Sequence, residues 1–282
     1  MKKFIYLLAM VCSIGFLASC GDDDDDPAVK RLQSIEGTWN VWSEGDEMTG
    51  YKGSAIITWE IDDDAAINID LGMGQPMPFK INETVTPLAN TLANKFLPNV
   101  LKSVTFTSDG KINAVYSDDE DGEDVKWEEA NGYASYKVMN DNLLAVTLNA
   151  DKVTEDIEDA ALKAQVKTIL KQFGSIPVNI RWNGAHPYFF VDKAFVQPMI
   201  ATMVGILSKV PTGDMDEEDL KSFLMLKGVL DQLPDLMKKT TKFEVGLELR
   251  KEYLRHFFGT AIYRVYQWPF GAFDAPFFFE MK

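Results

Sequence analysis

The fold class is decided by one stretch of the chain, Val104-Thr105-Phe106-Thr107-Ser108-Asp109-Gly110-Lys111-Ile112-Asn113-Ala114-Val115-Tyr116. Apolar and polar residues alternate on both sides of Asp109-Gly110, and this period of two is typical of half-buried strands. The Asp-Gly pair favours a tight turn, because glycine tolerates the positive φ that hairpin turns need. We therefore predict an antiparallel β-hairpin with strands at 104–107 and 112–116.

Alternating segments recur on both sides of this hairpin. At 54–61, for example, Ile57 and Trp59 share one face of the predicted strand. The tail from Phe257 onward is dense in aromatic residues, so we expect it to pack into the core and its strands to close the sheet. The pattern as a whole predicts an antiparallel meander. Its further strands are predicted at 35–42, 54–61, Trp127, 133–138, 143–148, 243–249, 261–267 and 276–281.

Four segments have the helical spacing of apolar residues: 83–101, 155–173, 194–208 and 216–239. The segment 194–208 carries no charge and is apolar on nearly every side, yet it is too short to cross a membrane. Such a helix is more often buried in a core than part of an apolar binding site. The second interpretation stays open because adaptable methionines lie in or near the segment, at Met199, Met203, Met225 and Met237.

The first nineteen residues have the features of a secretory signal peptide. Lys2 and Lys3 precede an uncharged apolar run from Phe4 to Phe16, whose length suits a signal sequence and is too short for a membrane span. The run ends in Leu17-Ala18-Ser19-Cys20, which resembles the lipobox of bacterial lipoproteins. The resemblance implies cleavage before Cys20, acylation of that cysteine, and attachment to a membrane through the acyl chains.

Residues 20–33 form an acidic tether after the proposed lipidation site. Five consecutive aspartates, Asp22 to Asp26, repel one another and stay solvated, so they predict an extended linker. The block resembles the acidic export signal of Bacteroidetes lipoproteins, which implies an outer-membrane protein exposed at the cell surface. A plain spacer is the alternative. The remaining residues, 34–282, are expected to form a single domain, for which the chain is long enough.

Charge and cysteine content exclude several functional classes. The net charge of −15 is unfavourable for binding nucleic acid, whose phosphates require basic side chains. The same charge opposes contact with anionic lipid headgroups, so the sequence assigns membrane attachment to the acyl chains. The only cysteines are Cys12, in the signal peptide, and Cys20. The folded domain therefore has neither a disulfide nor a cysteine metal site.

The first predicted strand contains Gly37-Thr38-Trp39, which resembles the Gly-x-Trp signature of lipocalins and other calycin barrels. The resemblance implies that Trp39 plugs one end of a barrel and packs on a basic residue, Arg255 or Arg264. The mature chain also resembles uncharacterised Bacteroides-type surface lipoproteins with calycin-like folds, on the segments Ser103–Lys111 and Gly132–Val138. We therefore expect an α+β fold: an antiparallel calycin-like β-barrel or curved sheet with about four helical insertions.

Metal and catalytic signals are weak. The two histidines, His186 and His256, are far apart in sequence, which is unlike a zinc motif. An EF-hand-like calcium loop is suggested by the acidic residues Asp119, Asp121 and Glu128. Its first position holds Ser117 instead of aspartate, so a solvated hairpin tip is the better interpretation. The nucleophile elbow and the other catalytic motifs are missing, and we expect neither a cofactor nor enzymatic activity.

The leading functional hypothesis is a non-enzymatic lipoprotein that binds a small apolar or amphipathic molecule. The ligand would lie in a barrel mouth or a helix-covered groove, with Trp42, Trp59 and Trp182 as candidate lining residues. The alternative is an interaction subunit of an outer-membrane complex or a glycan-binding protein. A hydrolase ranks third.

Overall fold

The computed structural model describes residues 35–46, 48–70, 75–117, 126–155, 157, 160–208 and 217–251. All of them except Lys251 fall within one unit, Met1–Arg250, which has an α+β fold. The signal peptide, Cys20, the acidic tether and the predicted strands 261–267 and 276–281 lie outside the described residues.

The strands follow the chain in a simple order. They are β1 (Gly37–Asn40), β2 (Ser43–Asp46), β3 (Gly50–Gly53), β4 (Ala55–Glu60), β5 (Ala66–Ile69), β6 (Met77–Lys80), β7 (Leu101–Phe106), β8 (Lys111–Tyr116), β9 (Glu128–Asn140), β10 (Leu143–Leu148), β11 (Ser175–Asn183), β12 (His186–Asp192) and β13 (Lys242–Glu248). Nine of them form one antiparallel sheet in the order β1-β7-β8-β9-β10-β11-β12-β13-β4. The pairs β2–β3 and β5–β6 form separate hairpins.

The hairpin predicted from 104–116 is confirmed as β7 and β8. Phe106 lies opposite Ile112, and Gly110 occupies the turn with φ +79°. The predicted strands 54–61, 143–148 and 243–249 are confirmed to within one residue as β4, β10 and β13. The other strand predictions differ in extent, since 35–42 shortens to β1 and 133–138 is part of the longer β9.

Strands β11 and β12 were not predicted from the sequence. Each contains a proline, Pro177 or Pro187, and proline normally argues against a strand inside a sheet. Here the apolar residues of both strands pack into the core, which outweighs the unfavourable backbone preference. Trp127, predicted as a separate strand, lies just before β9 and is not part of one.

The helices are α1 (Thr86–Val100), α2 (Ala150–Val153), α3 (Ala160–Phe173), α4 (Lys193–Leu207), α5 (Glu217–Leu230) and α6 (Leu233–Lys239), with a π-helical turn at Ile81–Val85. The first three predicted helices are confirmed as α1, α3 and α4. The fourth, 216–239, is two helices, because Pro234 cannot continue α5 and instead begins α6.

The sheet curls so that strands far apart in its order contact each other across the interior. Trp39 of β1 lies 6.0 Å from Trp182 of β11 between ring centroids, and Phe106 of β7 stacks on Phe189 of β12 at 5.0 Å. Both pairs join strands five places apart in the sheet order. The main hydrophobic cluster therefore draws on the inner faces of nearly all the strands in the sheet and on α4 and α6.

The two edge strands, β1 and β4, are not paired with each other among the described residues. Asn40, at the end of β1, instead bridges to Arg250 beyond β13 through two backbone hydrogen bonds of 2.7 and 3.1 Å. The large antiparallel sheet is therefore established, whereas a barrel closed by continuous strand pairing is not. The calycin-like character of the fold remains a proposal.

Candidate functional site

The three tryptophans expected to line a ligand site lie at two different ends of the sheet. Trp59 pairs with Phe243 at the start of β13, whereas Trp42 stacks on Arg250 just beyond the end of that strand. Seven residues of extended chain separate these positions, which is about 23 Å. Trp182 lies opposite Pro187 near the β11–β12 turn, at the same end as Trp42. Trp59 therefore belongs to a different site from the other two.

At the end of the sheet that contains Trp42 and Trp182, polar groups already surround Trp42. The guanidinium carbon of Arg250 lies 3.3 Å from the centroid of the Trp42 ring, and Arg250 also pairs with Glu248 at 3.6 Å. Trp42 Nε1 is buried without a hydrogen-bond partner. Trp182 contributes its ring to the interior beside Trp39. The Trp42 Nε1–H is therefore an unsatisfied donor, but the Arg250 side chain already covers the face of the Trp42 ring.

The interior next to this end is filled by protein side chains. Trp39, Phe106 and Phe189 are at most 2% exposed, and Trp39 Nε1 donates to the carbonyl of Ile35 at 2.6 Å. Gly37 has φ +112°, a conformation that favours glycine. Both defining positions of the Gly-x-Trp signature thus have a structural role here, Gly37 in the backbone conformation and Trp39 in the buried core. The basic residues that the calycin resemblance suggests, Arg255 and Arg264, lie outside the described residues.

The opposite end of the sheet, where α3, α4 and α6 meet the strands, carries a group of half-buried apolar side chains. We call this group the helix-end cluster: Trp59, Phe173, Phe195, Met203 and Leu233. Each packs against the buried core while keeping part of its surface in contact with solvent. Phe173 and Phe195 join α3 to α4 with ring centroids 5.9 Å apart. The cluster is a partly open apolar surface that borders the interior.

Polar groups border the helix-end cluster at one position. Trp59 Nε1 donates to Thr240 Oγ1 at 2.8 Å, and Thr240 Oγ1 in turn donates to the carbonyl of Leu236. Lys193 Nζ donates to the carbonyl of Thr240 at 2.6 Å. An ammonium group therefore lies beside an apolar surface, an arrangement that suits an amphipathic ligand with an acidic or polar head.

Sequence reasoning identified Trp59, Met199 and Met203 near this end but missed Phe173, Phe195 and Leu233. Met199 is buried, together with Val196 and Ile200, whereas Pro198, Ala201 and Gly205 are exposed, so α4 packs one face into the core and is not buried on every side. Met225 is exposed on α5 and Met237 is fully buried. The missed residues all stand at helix ends, where the helical spacing gives no signal about burial.

The opposite face of β11, β12 and β13 has a charged pair that is already satisfied. Arg181 donates to both carboxylate oxygens of Glu244, at 2.9 and 3.2 Å, and its guanidinium lies 4.6 Å from the Phe190 ring. Burial raises the pKa of Tyr188, and the negative charge of Glu244 raises it further. Tyr188 stacks on Phe190 with centroids 4.8 Å apart. We interpret this group as a structural anchor of the sheet, because its charges neutralise each other.

The metal candidates fall largely outside the described residues. Asp119 and Asp121 are not described, while Glu128 begins β9 and accepts a hydrogen bond from the Tyr116 hydroxyl at 3.3 Å. Within the described part of the chain, no three histidine, cysteine or acidic side chains gather as a metal site would require. His186 has a buried Nδ1 without a partner, and His256 is not described.

Comparison with known proteins adds no assignment. Neither a family model, nor a curated protein, nor a solved structure matches this chain significantly. Among the described helices, none combines the length and the apolar character that crossing a membrane demands. The functional argument therefore rests on the chemistry of the sites themselves.

Proposed function

We propose that the protein is a lipid-anchored, cell-surface lipoprotein that binds a small apolar or amphipathic molecule at the helix-end cluster, without catalysis. The acyl chains on Cys20 attach it to the outer membrane, and the acidic tether separates the domain from the anchor. The ligand inserts between α4, α6 and the end of the sheet, and its polar head lies near Lys193.

One observation carries this proposal: five half-buried apolar side chains adjoin an interior whose other end is filled by Trp39, Phe106 and Phe189. Transfer of apolar ligand surface to such a site contributes about 25 cal/mol per Å². Aromatic and methionine side chains with few polar groups are the usual lining of small-molecule sites. This favours the helix-covered groove over the barrel mouth as the binding site.

The test uses the mature chain from residue 20, produced without lipid as the Cys20→Ser variant. Native mass spectrometry before and after organic extraction would reveal a co-purified ligand, and a fluorescent apolar naphthylamine probe would report binding to the emptied site. Met203→Lys places a charge in the cluster, so we expect it to weaken probe binding at least about tenfold. Leu233→Ser, on the other side of the cluster, should act in the same direction.

Met139→Lys is the matched control, because Met139 is 55% exposed on β9 and lies outside the cluster. Circular dichroism would establish that each variant is folded. If the probe binds the Met203 and Leu233 variants as tightly as it binds the control, the helix-end cluster is not the binding site. If the unsubstituted chain binds no apolar compound, the carrier function is wrong.

A second function, an interaction subunit, is favoured by the exposed residues of α5. Leu224, Met225 and Leu226 occupy successive positions of the helix and are 53%, 45% and 37% exposed. Large exposed apolar side chains are typical of protein interfaces. Photocrosslinking from position 225 on whole cells would test this alternative. A discrete adduct that Leu224→Lys abolishes would support it.

A further inference from the structure

Helix α1 presents an apolar stripe to solvent. Leu88, Leu92 and Phe96 are 53%, 43% and 50% exposed and follow one another at intervals of four residues. This spacing places the three side chains on one face of the helix. They are the residues that carry the helical pattern in the sequence, and a globular protein normally buries such a face.

The helix cannot rotate to bury this stripe, because its opposite face is bonded to the sheet. Asn94 Oδ1 accepts from the Ala55 N–H and its Nδ2 donates to the Ala55 carbonyl, both at 2.8 Å. Asn90 does the same with Ile57 at 2.8 and 2.9 Å. The orientation of α1 is therefore fixed, and the stripe points away from the domain.

The hairpin β2–β3 packs beside α1 and carries one exposed apolar side chain at its tip. Met48, at its tip, is 97% exposed. The hairpin packs on α1, and a Cβ built on Gly50 would lie 3.3 Å from Thr91 Oγ1, one residue before Leu92. The hairpin thus lies beside the middle of α1.

The charged residue on the helix itself is basic, in contrast to the net charge of −15 for the chain, whereas the β2–β3 hairpin carries Glu44 and Asp46 as well as Lys52. Helix α1 has one charged residue, Lys95, and its Nζ lies 5.9 Å from the centroid of the Phe96 ring. Beyond the helix, Lys102 Nζ lies 5.7 Å from the ring of Trp127, which is 38% exposed. Lysine and exposed aromatic side chains beside an apolar stripe are typical of helices that lie in a bilayer interface.

We propose that the α1 stripe docks on the surface of the lipid bilayer. The bilayer is within reach because the fourteen residues that follow Cys20 span at most about 50 Å when extended. Docking turns a tethered domain into one with a fixed orientation, in which α1 lies flat in the headgroup region. The identity of the membrane rests on the proposed lipid anchor, but the affinity of the stripe for lipid does not.

The experiment uses the same unlipidated mature chain and vesicles of phosphatidylcholine, with co-sedimentation as the readout. Leu88→Ser, Leu92→Ser and Phe96→Ser together should weaken partitioning about 30-fold, because they remove most of the apolar surface that enters the interface. Val138→Ser with Met139→Ser is the matched control, since both residues are 55% exposed on β9. This control should change partitioning less than about twofold.

Lipids with brominated acyl chains provide a second readout, because bromine quenches indole fluorescence at short range. We expect quenching of the unsubstituted chain that Trp127→Phe largely removes. Partitioning that does not change in the triple variant would overturn the proposal. So would a stripe-dependent dimer that leaves the vesicles unbound, because it would show that a second copy covers the stripe. Loss of probe binding at the helix-end cluster would not affect either readout, so the two proposals fail independently.

Discussion

At the residue scale, Gly246 is the position where β12 and β13 leave no space for a side chain. It lies opposite Phe190, and a Cβ built on it would come 2.0 Å from the Phe189 carbonyl oxygen and 2.6 Å from Phe190 Cα. Because both are backbone atoms, the strands would have to move apart. We expect Gly246→Ala to lower the free energy of unfolding by about 3 kcal/mol, measured by chemical denaturation.

Gly228 provides the control for that substitution. It lies in α5, and a Cβ built on it meets no atom within 4 Å. Alanine is the better helix former, so Gly228→Ala should raise stability by up to about 1 kcal/mol. Equal effects of the two alanines would contradict the steric explanation for Gly246.

Because of Tyr188, the free energy of unfolding should decrease as the pH rises in the alkaline range. Burial and the charge of Glu244 raise its pKa in the folded chain, so the native state keeps the phenol proton at a pH where the unfolded state has lost it. Its contribution is therefore complete below the ordinary pKa of about 10 and declines as the pH rises above that value. Relative to Tyr188→Phe, the unsubstituted chain should lose up to about 1.4 kcal/mol per pH unit in this range.

The measurement compares chemical denaturation of the two chains between about pH 8 and about pH 11. At the lower end they should be similarly stable, because the Tyr188 hydroxyl makes only a long hydrogen bond, 3.4 Å, to the Ile56 carbonyl. Parallel curves over the whole range would show that Tyr188 is ionised as easily in the folded chain as in the unfolded one.

At the element scale, α1 covers the free edge of β4 with side-chain amides. Asn94 is 3% exposed, and its amide pairs with both backbone groups of Ala55 as a neighbouring strand would. Alanine at this position leaves the partly buried N–H and carbonyl of Ala55 without these partners. We expect Asn94→Ala to cost about 3 kcal/mol of unfolding free energy and to speed hydrogen exchange in β4.

Asn99 is the matched control for this prediction, since it lies in α1 but forms no hydrogen bond with β4 and is only half-buried. Asn99→Ala should change stability by less than about 0.5 kcal/mol. A comparable loss from both substitutions would mean that asparagine stabilises α1 itself and does not cap the strand edge.

At the scale of the whole molecule, the predicted lipid anchor and acidic tether separate membrane attachment from surface display. Cys20→Ser should prevent labelling with radioactive palmitate and release the protein from the membrane fraction. Replacing Asp22–Asp26 with serine should keep the lipid but remove the export signal. We expect that variant to become resistant to protease added to intact cells, while the unsubstituted protein is digested. Digestion of both proteins would favour the plain-spacer interpretation.

The sequence alone was sufficient for much of the local structure. The period of two around Asp109-Gly110 predicted β7 and β8 correctly, because the turn and the alternation are both properties of neighbouring residues. The helical spacing likewise located α1, α3 and α4. It failed at 216–239, where the continuing apolar pattern outweighed the signal of Pro234, and at β11 and β12, where prolines concealed two strands of the core.

The candidate sites depended on long-range geometry that no local pattern contains. Trp42, Trp59 and Trp182 are the same residue type in similar local sequences. The antiparallel pairing of β4 with β13 nevertheless places Trp59 beside Phe243, about 23 Å along the chain from Arg250, which contacts Trp42. In α1 the tertiary structure inverts the expected polarity, since the asparagines bond to the sheet and the leucines face solvent. The sequence by itself determined the α+β class and the hairpin, and it is the source of the export signals that stay a prediction; all of these depend on adjacent residues. Only the tertiary structure decided which apolar side chains are buried, because strand order and the satisfaction of backbone hydrogen bonds at the sheet edge set the orientation of each element.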